Sequence, residues 1–78
     1  MIEFLTKIVS AIVDDPQTIK INLEEGDGLL IYNIFVPESE VGKVIGKEGK
    51  VISAIRSLAR LKALKSQQKV LVKVAAST

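Results

Sequence analysis

The sequence predicts an α+β fold with the order α-β-β-α-α-β, a three-stranded mixed sheet covered on one face by three helices. Three observations predict it. Apolar residues recur at helical spacing in residues 2–14, 38–45 and 50–65. They alternate at strand spacing in 18–24, 29–36 and 69–74. The first two strands are separated only by a short turn and can form a hairpin. The third follows two helices and can return parallel beside the second through a right-handed crossover.

The first helix places Ile2, Leu5, Ile8, Val9 and Ile12 on one stripe, with Phe4 and Val13 at its edges. Asp15-Pro16 stops it, because a residue before proline avoids the α region. In the first strand Ile19, Ile21 and Leu23 point one way, and Thr18, Lys20, Asn22 and Glu24 the other. Glu25-Gly26-Asp27-Gly28 is a turn rich in residues that accept positive φ. In the second strand Leu30, Tyr32, Ile34 and Val36 form the core face, since the opposite set includes Asn33, which burial would leave unpaired. Pro37 ends this strand and suits a helix start, and Glu38 and Glu40 favour the helix dipole there.

The second helix spans residues 38–45 and breaks at Gly46 to Gly49. The third carries Val51, Ile52, Ile55, Leu58 and Ala59 on its core stripe. Lys62 falls on that stripe by angle, near enough to the C-terminal end to snorkel and to favour the dipole. Ser66-Gln67-Gln68 connects to the last strand, where Val70, Val72 and Val74 share one face. Residues 75–78 read as a frayed tail. Only Ile31, Phe35 and Leu71 are left for the open sheet face, where they are a candidate contact patch.

Seventy-eight residues read as one domain, with an ordered core over about residues 2–75. The chain has no Cys and no His, which argues against disulfides, thiolate or imidazole catalysis and most zinc chemistry. Asp14 and Asp15 are adjacent carboxylates but belong to the helix stop, so an enzyme is not expected, nor any cofactor or metal. No signal-like N-terminus or spanning apolar stretch is visible, which suggests a cytoplasmic protein without membrane insertion. Charge is sharply divided. Residues 1–40 hold eight carboxylates against Lys7 and Lys20, whereas residues 41–65 hold seven basic side chains against Glu48 alone. Such a division suits a polyanion on one surface.

The basic half is centred on Val41-Gly42-Lys43-Val44-Ile45-Gly46-Lys47-Glu48-Gly49-Lys50-Val51-Ile52. Gly46 and Gly49 permit backbone angles closed to other residues and let a sugar-phosphate chain approach the main chain. The following helix offers unpaired N–H groups and partial positive charge. Lys47 adds charge at the tip, Lys43 and Lys50 flank it, and Glu48 is expected to face solvent. The same glycines could make an ordinary helix cap and turn. A nucleotide P-loop is rejected. Gly42 to Gly46 is one residue short, Glu48 stands where Ser or Thr belongs, and a helix rather than a strand precedes the turn.

Val44-Ile45-Gly46-Lys47-Glu48-Gly49-Lys50-Val51-Ile52 resembles the (V/I)-I-G-x-x-G-x-x-I signature of KH domains, and the element order is that of the type II KH fold. In size and layout the chain resembles the KhpA (YlqC) family of small bacterial KH proteins over roughly residues 1–75. Larger type II carriers, such as the Era GTPase, bring further domains. The resemblance implies single-stranded RNA as ligand. Gly46, Lys47, Glu48 and Gly49 would clamp the backbone of about four nucleotides, and bases would lie in an apolar groove between the two central helices and the sheet edge. Val41, Val44, Ile45 and Ile52 match the family's apolar positions, and the sequence does not divide them between groove wall and core. Lys43 and Lys50 would contact phosphate, whereas Arg56 and Arg60 are placed on the outer face of the last helix, within reach only of a longer RNA.

Phe4, Tyr32 and Phe35 are the only aromatics and none is near the loop, so aromatic base stacking is not expected. Binding should be weak and of low specificity, with two to three lysine contacts giving a log K against log salt slope of about −1.5 to −2. The resemblance further implies an RNA chaperone or post-transcriptional regulator linked to cell shape, division and wall organisation. It implies a homodimer, and a complex with a larger KhpB-like KH-domain protein. A rival reading is a protein–protein adaptor whose KH fold does not depend on RNA.

Overall fold

The computed structural model describes residues 1–77. Its elements are α1 (Ile2–Ser10), β1 (Lys20–Gly26), β2 (Leu29–Val36), α2 (Glu38–Ile45), α3 (Lys50–Leu64) and β3 (Lys69–Ala76). One sheet has the order β1-β2-β3, with β1 antiparallel and β3 parallel to the central β2. This is the α+β arrangement expected, and it is that of a type II KH fold. Among the described residues no helix is long and apolar enough to cross a membrane.

α1 stops at Ser10, four residues before the expected end. The Ala11 amide reaches Ile8 O as well as Val9 O, and Val13 N donates to Val9 O, so the chain tightens into a closing turn. That turn tucks Val13 into the core, while Ile2, expected on the core stripe, is exposed. Leu5 and Val9 carry the helix's packing, both fully buried. Asp15 does more than stop a helix. Its side chain accepts from Gln17 N at 3.0 Å and caps a 3₁₀ turn at Pro16–Thr18.

That turn delays β1, which begins two residues later than expected and runs on to Gly26. Gly26 pairs with Leu29, leaving Asp27-Gly28 as a two-residue hairpin loop. Both loop residues have positive φ, 52° and 76°, as a type I′ turn requires. The β2 faces are as the alternation predicts. Tyr32, Ile34 and Val36 are buried, while Leu29, Ile31, Asn33 and Phe35 are half-covered on the other side. Asn33 Nδ2 donates to Glu24 Oε1 at 2.9 Å across that open face.

The tail expectation is corrected. Residues 75 and 76 extend β3, and Ser77 N donates to Val36 O at 2.9 Å. Thr78 lies outside the described residues. On α3 the buried row is Ile52, Ile55, Ala59 and Ala63, so the core line is rotated away from Leu58, which is exposed. Lys62 needs no burial to sit on the stripe's edge, because its Nζ lies 4.9 Å from the centre of the Phe4 ring. Such a cation–π contact at a surface is worth about 0.5–1 kcal/mol.

Candidate nucleic-acid interface

α2 ends at Gly46, whose N–H donates to Gly42 O at 2.8 Å. Gly46 itself has φ 78° and ψ 171°, a conformation essentially confined to glycine. A Cβ there would run into the Val51 side chain and lie 2.8 Å from Val51 N. Glycine is therefore required twice over, by angle and by space. Gly49 has φ 73° and ψ 15°, but a Cβ there would meet nothing within 4 Å. Its requirement is conformational alone.

Between them Lys47–Gly49 form a single 3₁₀ turn, with Gly49 N donating to Gly46 O at 3.1 Å. Glu48 takes φ 57° and ψ 24°, left-handed for a residue with a side chain, and is exposed as expected. No side chain caps α3, and the N–H of its first residue, Lys50, donates to Lys47 O within the turn. Lys47 and Lys50 are both exposed beside this helix start.

The structure divides the four apolar positions. Val44 and Ile52 are core, fully or nearly fully buried. Val41 is half-buried and Ile45 is exposed at the end of α2. Only the last two can form a groove wall.

Lys43, expected at a phosphate, has its ammonium engaged within the protein. Its Nζ lies 2.9 Å from Asp14 Oδ2 and 3.6 Å from Glu40 Oε2. Glu40, nearly buried, also accepts a long 3.4 Å bond from Asp14 N. The group ties the end of the α1 turn to α2. The hydrogen bond from Lys43, then its charge, holds the Asp14 carboxyl below its usual range, and Asp14 in turn raises Lys43.

A depressed carboxylate stabilises the fold above the unfolded Asp value of about 3.9, and the contribution disappears as pH falls through the lower folded value. The Lys43 side is present below about 10.5 and is lost as pH rises through its raised value. Asp14→Asn should therefore lower the unfolding midpoint between about pH 4 and 10, and the gap from the parent should close in acid. Urea melts of both proteins from pH 7 to 2 check this; a gap that persists at pH 2 would contradict it.

Arg56 and Arg60 are not simply on an outer face. Arg56 is half-buried, and its Nε donates to Val72 O at 3.0 Å on the edge strand β3. With Arg60, Val70, Leu71 and Val72 it lines an open recess of about 380 Å³. Sequence reasoning missed this placement. The available signal was the position of Arg56 one turn beyond Ile52 and next to Ile55, at the margin of the buried row.

The sequence model of the KhpA/KhpB KH domain matches residues 2–74. The chain belongs to this KH-domain family. It is 36% identical over 72 residues to the RNA-binding protein KhpA of Caldanaerobacter subterraneus subsp. tengcongensis, covering 92% of this chain and 96% of that one. It is 43% identical over 58 residues to the RNA-binding protein KhpA of Chlamydia trachomatis, 74% of each chain. The KhpA of Listeria monocytogenes matches at 35% over 74 residues, 95% of this chain and 97% of the other. Among solved structures, Aquifex aeolicus Era Y63A bound to GDP.AlF4- superposes with a TM-score of 0.67 at 22% identity. That match covers 95% of this chain and 29% of the Era chain, and it speaks for the fold alone. The family is one of KH domains, not of enzymes.

Proposed function

We propose that this protein is a single KH domain that binds single-stranded RNA, gripping the sugar-phosphate backbone at Gly46, Lys47, Glu48 and Gly49. The observation that carries the reading is the loop itself. A glycine that tolerates no side chain leads into an uncapped helix start, with Lys47 and Lys50 exposed on either side of the turn. Backbone N–H groups and the helix dipole favour phosphate at such a place. Val41 and Ile45 supply apolar contact for the first bases. Lys43 is a reserve cation, since a phosphate must compete with Asp14 for it. The names of the KhpA relatives support the same ligand.

With Lys47 and Lys50 as the phosphate contacts, log K should fall with log salt at a slope of about −1.4, approaching −2 if Lys43 is recruited. Fluorescence anisotropy with a labelled single-stranded octamer at several salt concentrations measures it. Binding that is independent of salt would refute the clamp.

A cytoplasmic role as an RNA chaperone or post-transcriptional regulator follows from the family resemblance. A dimer, or a complex with a larger KhpB-like protein, fits the exposed apolar residues of α3. Leu58, Leu61 and Leu64 are 45%, 61% and 71% exposed, whereas on the sheet face Leu71 is 37% exposed and Ile31 and Phe35 are half-covered. Those leucines, rather than the sheet, are the surface that would also serve the adaptor reading. Absence of measurable RNA affinity in the unaltered protein would favour that second reading.

A further inference from the structure

We propose that the open face of the sheet is a second site for single-stranded RNA, in which one base stacks on Phe35 between Lys20 and Lys73. This site extends the RNA-binding reading to the layer opposite the Gly46–Gly49 loop, and it stands or falls separately from the clamp. Strand register assembles it. On the face turned away from the helices, Lys20 of β1, Phe35 of β2 and Ala75 of β3 form one row. Asn22, Asn33 and Lys73 form the next. Phe35 is half-covered, so part of its ring meets solvent, and both lysines are exposed. Directly opposed side chains start about 5 Å apart and diagonal neighbours about 7–8 Å apart. Each ammonium can therefore reach a phosphate on one side of a base laid on the ring.

Charge and hydrogen-bonding capacity favour RNA here over a protein partner. The face holds Lys20, Lys69 and Lys73 against one carboxylate, Glu24. Among the described residues none of the three lysines is in an ion pair. Glu24 stands four residues along β1 from Lys20, about 13 Å away. Its Oε1 already accepts from Asn33 Nδ2 at 2.9 Å. That bond holds the Asn33 amide in the face and leaves its Oδ1 without a donor among the described residues. Asn22, paired with Asn33, adds a second exposed amide. Amides both donate to and accept from base edges, whereas an apolar protein surface would bury them unpaired. Ile31 and Leu71 fill the following row and extend the platform for further bases.

The loop belongs to α2 and α3, whose buried residues pack with Tyr32, Ile34, Val36 and Val72 on the covered face. The two sites thus face opposite ways, and one chain can hold two RNA segments at once. Stacking on a single ring tolerates every base, so the second site adds grip without sequence preference.

The test is a titration of the full chain with octauridine, followed in ¹⁵N-edited spectra into excess RNA. Residues 46–50 should shift first, and Lys20, Asn33, Phe35 and Lys73 should follow in a second, weaker phase. Phe35→Leu keeps an apolar side chain but removes the ring, and should weaken the second phase about fivefold or more. It should leave the loop phase within about twofold, because the two sites are distant. Lys20→Gln with Lys73→Gln changes only exposed positions, and should lower the salt slope of the second phase by about 1.4. If Phe35→Leu fails to fold by circular dichroism, that lysine pair decides. Octaglutamate, a polyanion without bases, should leave Phe35 unshifted. Silent sheet residues beside a saturated loop overturn the inference and leave the clamp standing. Sheet shifts beside a silent loop support this site and remove the clamp. Octaglutamate that shifts Phe35 and its neighbours as strongly as octauridine makes the face a dock for acidic protein, and the inference falls.

Discussion

Replacing Lys47 and Glu48 together by aspartate is expected to weaken RNA binding at least about tenfold, with little change in stability. The pair is chosen on backbone grounds. Glu48 sits at φ 57°, ψ 24°, a region that aspartate enters more readily than most residues. Both side chains are exposed, and neither makes a hydrogen bond or ion pair among the described residues, so the fold loses nothing evident. Only the charge changes, and it changes at the tip of the turn. One cation is lost and an anion takes its place, facing the phosphate that the helix start would attract. Loss of one counterion-releasing contact plus that repulsion amounts to about 1.4 kcal/mol or more, the equivalent of a factor of ten. Anisotropy titration of both proteins, beside a circular dichroism melt, checks both halves. Unchanged affinity would move the RNA site away from the loop and refute the clamp.

Gly46→Ala carries the largest expected effect on stability. The angles at Gly46 cost a non-glycine residue about 1–3 kcal/mol. The new methyl also meets Val51, partly through its backbone nitrogen, which cannot rotate aside. Overpacking of that kind adds about 1–3 kcal/mol. The sum, near 3 kcal/mol or more, is a large share of the roughly 4–12 kcal/mol available to a chain of this length. It should lower the melting temperature by more than about 12 °C. Gly49→Ala has the left-handed angle but open space, and should cost about 1–2 kcal/mol. Thermal melts of the two variants side by side check this. Equal losses would mean that the Gly46–Val51 approach has no energetic weight.

The fold was legible because its signals are local. Alternation in β2 predicted both of its faces, Glu25-Gly26-Asp27-Gly28 predicted the hairpin turn, and the glycines predicted the break between α2 and α3. What stayed hidden depended on distant or rotational information. Lys43 looks like a free cation beside a phosphate loop, but its partner Asp14 is 29 residues away in sequence. The burial of Glu40 has the same origin, since Asp14 N and Lys43 surround a carboxylate that reads as a helix-dipole acid.

On α3 the stripe through Val51, Ile52, Ile55, Leu58 and Ala59 is wider than the row that is buried. Apolarity alone could not say that Ala63 lies inside and Leu58 outside. Arg56 was misplaced by the same ambiguity of about one residue. That residue of rotation separates a solvated arginine from one bound to the sheet edge.

The clamp is tested most directly by following every backbone amide during titration with a single-stranded RNA octamer in ¹⁵N-edited NMR spectra. The account predicts that shifts concentrate on residues 46–50, continue through Ser53 and Arg56 to Arg60, and leave the Asp27-Gly28 hairpin turn unmoved. Shifts confined to the outer leucines of α3, or to the open sheet face, with residues 46–50 silent, would contradict it.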